Sequence, residues 1–386
     1  MNKLRVLSAF GTRPEAVKMA PLLYTLEACP DIESICCLTA QHREMLDSVM
    51  DVFGLRADFD LDIMEHGQTL HTVFTKALNG LAEIYRKSRP DLVLVHGDTS
   101  TTFAASLAAF YEKVRIGHVE AGLRTFNKYS PFPEEINRKL TGALADLHFC
   151  PTRRNAANLA AEGITQGVFV TGNTVIDAMK YTVKPDFKSS SEAVEALDFE
   201  NRKIISMTCH RRENYGAPME SIFRAVRRLG ETRDDIQIIY PVHPSPTVME
   251  TAHRILDGAP SVILTEHLDA IEMHNLMARS YLVLTDSGGL QEEAPSLGKP
   301  VLVMRRETER QEAIDAGTVR LVGVEEDDIY TAVVELLDNR EEYEKMARAV
   351  NPYGDGEACK RIRDAILFSF GLSDREPEEF SPGTEA

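Results

Sequence analysis

Short β-branched or apolar runs alternate with longer amphipathic stretches along the first half of the chain. This is the pattern of βαβ units and of a parallel sheet buried on both faces. Strands are predicted at Leu4 to Phe10, Ser34 to Ala40, Leu92 to Gly97, Arg115 to Val119, Leu147 to Pro151 and Val168 to Gly172. Between them Thr99 to Tyr111 reads as a helix, with Phe103, Leu107 and Phe110 at helical spacing on a face expected to be core. A polar connecting region, Lys184 to Asn201, contains Pro185 and the run Ser189-Ser190-Ser191. The alternation restarts at Lys203, with strands expected at Ile204 to Thr208, Ile236 to Val242, Val262 to Thr265, Tyr281 to Thr285, Val301 to Met304 and Arg320 to Val322. The fold class is therefore α/β, with two Rossmann-type parallel-sheet domains. Ligands of such folds sit beyond the carboxyl ends of the strands, so polar residues just after a strand are the first candidates for chemistry.

A length of 386 residues is consistent with two domains, at roughly 100 to 200 residues each. With 60 acidic residues against 43 Lys and Arg, the net charge of −17 argues against non-specific binding to nucleic acid or an anionic membrane. No apolar run reaches bilayer length and no signal peptide is recognisable, so a cytoplasmic protein is expected. The six cysteines lack repeated C-x-x-C spacing and read as buried reduced thiols. The segment 373–386, with five acids, one Arg and two Pro, is expected to be a disordered acidic tail.

Strand one runs into Gly11-Thr12-Arg13-Pro14-Glu15, which places Arg13 and Lys18 near a helix N-terminus suited to anions, or simply on a surface loop. His96-Gly97-Asp98-Thr99 puts Asp98 at a strand end, where it could act chemically, or Asp98 or Thr99 could cap the next helix. Glu120 follows another strand, and Glu134 opens a helix after Pro131-Phe132-Pro133. If Asp98, Glu120 and Glu134 converge, burial and mutual repulsion would raise their pKa values for acid/base work; otherwise they are unrelated caps and salt-bridge partners. His210, flanked by Arg211 and Arg212 at a strand exit, could meet a negative group or be structural. Asp286-Ser287-Gly288-Gly289 could form a backbone nest for a diphosphate, although turns also require glycine. No G-x-G-x-x-G follows a strand and no G-x-x-x-x-G-K-[ST] or compact metal-ligand set occurs, so neither NAD, P-loop chemistry nor a metal is indicated.

Taken together, GTRPEAVKMAPL, TAQHREML, HGDTSTT, HVEAGLRT, PFPEEINR, VTGNTVIDA, TCHRREN, PVHPSP, LTDSGGLQEEAPSLGKPVLVMR and AGTVRLVG closely resemble the non-hydrolysing bacterial UDP-N-acetylglucosamine 2-epimerases, from Gly11 to about Ile362. The resemblance implies a GT-B-like fold with two Rossmann-type domains facing a central cleft, divided at 1–172 and 173–362, and a helix at 363–372 returning to the first domain. It also implies reversible conversion of UDP-GlcNAc to UDP-ManNAc through elimination of UDP to a 2-acetamidoglucal and re-addition, without cofactor or metal, in a homodimer. By motif position Asp98, Glu120, Glu134 and His210 are catalytic. Arg13, Lys18, His210, Met273, Ser287, Gly288, Gly289, Glu293 and Arg310 bind UDP, Glu293 through the ribose. Met273 stands where some members carry an aromatic residue. Gln41, His42, Glu44, Arg211 and His243 fit a second, activating UDP-GlcNAc site, in which Glu44 replaces a frequent Gln. The alternatives are a hydrolysing epimerase, a GT-B glycosyltransferase and a non-catalytic UDP-sugar sensor.

Overall fold

A computed structural model describes residues 3–39, 49–50, 53–63 and 67–383. The chain forms two compact units, Met1–Tyr181 with Tyr353–Ser381, and Thr182–Pro352 with 382–386. The first unit holds β1 (Leu4–Phe10), β2 (Ile32–Leu38), β3 (Phe59–Asp60), β4 (Leu92–His96), β5 (Arg115–Val119), β6 (Leu147–Cys150) and β7 (Val168–Val170). They pair in parallel in the order β3-β2-β1-β4-β5-β6-β7. The two-residue edge strand β3 is too short to leave a period in the sequence. The second unit holds β8 (Lys203–Thr208), β9 (Ile236–Pro241), β10 (Val262–Thr265), β11 (Leu282–Thr285), β12 (Val301–Val303) and β13 (Val319–Leu321). These are parallel in the order β10-β9-β8-β11-β12-β13. Strand order reverses between β1 and β4 in one sheet and between β8 and β11 in the other. Loops diverge at such a point and leave a crevice at the carboxyl ends of the strands.

Both sheets are cored as the sequence predicts. Leu7, Val93 and Val95 pack with Leu81 and Tyr85 in the first unit, and Ile205, Met207 and Leu284 with Phe223 and Tyr240 in the second. The helix Ser100–Tyr111 reverses the expected face. Its Thr101, Ala104, Ala105, Ala108 and Ala109 are buried, while Phe110 is 55% exposed. A small-residue face lets this helix lie close to its neighbours, which outweighs the aromatic periodicity that suggested the other side.

The boundaries also differ from the expected 172/173 and 362/363. The helix Thr174–Thr182 stays with the first unit through Tyr181, because buried Asp177 accepts the N–H groups of Ala358 and Cys359 at 3.1 and 2.9 Å. Asp177 thereby serves the open N-terminus of the helix Ala358–Ser369, which has no side-chain cap of its own. Tyr181 stacks on Tyr24 with ring centroids 5.5 Å apart. The expected disordered tail is corrected in part. Phe380 is buried, donates its N–H to the Val170 carbonyl at 2.7 Å and lies beneath the Arg361 guanidinium. An apolar side chain and an edge-strand carbonyl hold this segment despite its acidic composition. All six cysteines are free and buried. Among the described residues, no helix is long and apolar enough to cross a membrane.

Candidate functional site

In the first unit, buried Glu15 ties the loops on either side of the β1/β4 reversal. One carboxylate oxygen accepts the N–H groups of Gly11 and Thr12 at 3.1 and 2.8 Å; the other accepts the hydroxyls of Thr99 and Thr102 at 2.7 and 3.1 Å. The turn is so crowded that a Cβ at Gly11 would lie 1.9 Å from Thr39 Oγ1, just after β2, and 3.0 Å from Thr101 Oγ1, beyond β4. Arg13 therefore opens the helix Arg13–Glu27 from a fixed start, and Lys18 follows on the same helix.

Lys18 Nζ lies 2.5 Å from Glu120 Oε2, and His96 Nε2 lies 3.0 Å from the same oxygen. Glu120 leaves β5 with φ +62°, a left-handed conformation uncommon for a residue with a Cβ and one that the surrounding contacts must hold. Burial works to raise its carboxyl pKa, but the Lys18 ammonium and His96 outweigh that and hold it well below the usual carboxylate range. This reverses the expectation that burial and neighbouring carboxylates raise it. The buried His118 donates its Nε2–H to the Gly97 carbonyl, 2.7 Å away, and burial lowers its pKa to about 3.

Asp98 does not cap the following helix; Thr99 does, accepting the Thr102 N–H. The Asp98 carboxylate instead meets Arg138 Nη2 at 2.5 Å and Nε at 3.2 Å. Arg138 also reaches Glu135 at 3.2 Å, and buried Glu135 accepts the N–H groups of Thr125 and Phe126. Half-buried Glu134 is the first residue of the helix Glu134–Leu144. Asp98 and Glu120 are thus each held by their own cation, and the signal that Arg138 and Glu135 supply such a frame lies in the same PFPEEINR run.

The second unit repeats the device with a different acid. Fully buried Asp286, directly after β11, accepts the backbone N–H groups of His210 and Arg211, both at 2.8 Å, and the Asn214 amide at 3.1 Å. Its other oxygen lies 3.4 Å from His210 Nδ1. Thr208 and Thr285 hydroxyls meet at 2.5 Å just before these loops. Burial lowers the His210 pKa against the opposing pull of Asp286, and His243 and Arg211 lower it further. The His210 ring stacks on His243 at 5.3 Å, whose Nδ1 accepts the Ser245 N–H.

The loop Ser287-Gly288-Gly289 is anchored by the Ser287 N–H on Thr285 Oγ1. Glu293 lies 3.4 Å from His274, which contacts the Thr182 hydroxyl. Met273 is buried on the helix Ala270–Arg279. Arg310 is gripped by two carboxylates, Glu292 at 2.8 Å and Glu309 at 2.6 Å. Glu15, His96, Arg138 and Glu309 join the site without having been singled out by the sequence, and Asp286 holds the His210 loop rather than forming part of a nest. Asp286 follows a strand directly, and Thr12-x-x-Glu15 is a capping-box spacing, so both carried a signal. Of the proposed activator residues, Arg211 and His243 lie beside His210, whereas Gln41, His42 and Glu44 fall outside the described residues.

The chain matches the UDP-N-acetylglucosamine 2-epimerase family over residues 24–367. It is 52% identical to the UDP-N-acetylglucosamine 2-epimerase of Bacillus subtilis over 382 residues, covering 99% of this chain and 100% of that one. The S. aureus MnaA–UDP co-structure superposes with a TM-score of 0.89 at 48% identity, covering 98% of this chain and 100% of that chain. The UDP-GlcNAc 2-epimerase from Neisseria meningitidis bound to UDP-GlcNAc gives 0.86 at 46% identity, covering 94% and 100%. Two Rossmann-like parallel sheets, the strand-end acids and this full-length similarity lead to one conclusion: the chain belongs to the UDP-N-acetylglucosamine 2-epimerase family of isomerases.

Proposed function

We propose that this protein interconverts UDP-GlcNAc and UDP-ManNAc at C2, eliminating UDP to form 2-acetamidoglucal and adding it back, and so supplies ManNAc for surface polysaccharide synthesis. The observation that carries the reading is the buried Lys18–Glu120–His96 group, which keeps an ionised carboxylate at a strand exit. An ionised carboxylate can take the C2 proton, and inversion requires a second group to return a proton to the opposite face. Asp98, Glu120 and Glu134 make up that set. His210, Arg13 and the N–H groups of Ser287 to Gly289 would stabilise charge on the departing diphosphate, with Met273 and Glu293 at the base and ribose. Family membership and relatives solved with UDP or UDP-GlcNAc support this assignment.

The test is product analysis by NMR after incubating the purified protein with UDP-GlcNAc alone. UDP-ManNAc at equilibrium with substrate is expected. Free ManNAc would indicate the hydrolysing reaction, and an unchanged substrate that nevertheless binds would indicate a sensor. Activation by a second UDP-GlcNAc, through Arg211 and His243, predicts that UDP-ManNAc turnover accelerates when UDP-GlcNAc is added. A homodimer is proposed on the same family grounds and is checked by sedimentation equilibrium.

A further inference from the structure

Five side chains form an alternating file of charge beside Gly288. Glu213 meets Arg305 at 2.6 Å, Arg305 meets Glu309 at 2.8 Å, Glu309 meets Arg310 at 2.6 Å, and Arg310 meets Glu292 at 2.8 Å. Arg211, whose backbone is fixed by Asp286, adds a third guanidinium 3.8 Å from Glu309. Glu309 is therefore an acid surrounded by three arginines. A Cβ on Gly288 would lie 3.0 Å from Glu309 Oε1 and 3.1 Å from Arg310 Cζ, so glycine there makes room for the ion pair itself. The Arg305 and Arg310 cations pull the Glu309 carboxyl down against its burial, to about 2, so it is ionised at neutral pH.

We infer that Glu309 is an internal counter-anion: its carboxylate neutralises Arg310, and the diphosphate of a bound uridine nucleotide must displace it to gain that guanidinium. This rests on the proposed placement of UDP at Ser287 to Gly289. Carboxylate and phosphate compete for guanidinium through the same charge-assisted hydrogen bonds. A resident carboxylate lowers the net gain from binding diphosphate without touching the uridine. It sets affinity in the range that permits release, which matters for a reaction that must let go of a nucleotide sugar every cycle. Glu292, buried on the other side of Arg310, keeps the guanidinium in place when Glu309 moves away.

The test is calorimetric titration of UDP, inorganic diphosphate and uridine into the wild type and Glu309→Gln. The neutral isostere is expected to bind UDP about tenfold more tightly and inorganic diphosphate more tightly as well, with uridine unchanged, since one competing charge has been removed. Unchanged or weaker UDP binding by Glu309→Gln overturns the inference, as does an equal gain for uridine. Should Glu309→Gln fold poorly, Glu309→Asp retains the charge on a shorter arm and is expected to bind UDP more tightly by a smaller factor; no gain there also overturns it. Failure of the wild type to bind UDP would strike at the proposed function instead, so the two failures are distinguishable.

Discussion

Lys18 and Glu120 stand 102 residues apart in sequence and 2.5 Å apart in space, with side chains 18% and 9% exposed. The pair joins the first helix of the chain to the exit of β5. Without the ammonium, the Glu120 carboxylate would keep its burial and His96 but lose the strongest of the interactions that favour its charge. Lys18→Met should therefore raise the Glu120 pKa and move the acid limb of the kcat/KM profile to higher pH. An acid limb identical to that of the wild type would show that Glu120 is not the group being titrated.

Glu15 accepts two backbone N–H groups from its own turn and two hydroxyls, of Thr99 and Thr102, from beyond β4. Glu15→Ala would strand these donors where water reaches poorly. Urea unfolding should show a loss of about 3 kcal/mol, the order expected for breaking a buried charged network. A loss below about 1 kcal/mol would mean that water replaces the carboxylate at no great cost.

Asp286 fixes the backbone of His210 and Arg211 from the neighbouring strand. Asp286→Asn presents an amide where two N–H groups converge on one carboxylate oxygen, and removes the charge beside the His210 ring. UDP affinity is expected to fall about tenfold or more, alongside a stability loss of about 2 kcal/mol. Retained affinity with lowered stability would assign Asp286 a structural role alone.

His118 and His148 are register partners on β5 and β6, and burial lowers their pKa values to about 3 and about 4 from 6.5. The unfolded chain therefore binds more protons between these values. Their contribution to stability is complete above pH 6.5 and is lost as pH falls, at up to about 1.4 kcal/mol per pH unit for each histidine. Urea midpoints between pH 7 and 5 should decline, and less steeply in His148→Gln. Parallel slopes for the two proteins would contradict the assignment.

The parallel sheets were legible because buried strands leave continuous apolar runs between helical stretches, and most strand ends were placed within two residues. In the helix Ser100–Tyr111 the aromatic spacing points to the wrong face, because alanine contributes little to a hydrophobic pattern but much to close packing. The ordering of Phe380 could not be read from an acidic, proline-containing segment, since it depends on an edge-strand carbonyl 210 residues away. Strand-end position pointed to Asp98, Glu120 and His210, but their partners came from elsewhere. Lys18, Arg138 and Asp286 meet them through topology that local sequence does not encode. The charge state of Glu120 shows the consequence: burial alone predicts a raised pKa, and the cations that reverse it are distant in sequence.

Removal and replacement of the C2 proton can be followed by NMR when the protein is incubated with UDP-GlcNAc in D₂O, with Glu120→Gln alongside. Deuterium should enter C2 as UDP-ManNAc forms with the wild type, and the variant should be slower by at least about a hundredfold. Epimerisation with full retention of the C2 proton, or exchange undiminished in Glu120→Gln, would contradict the account.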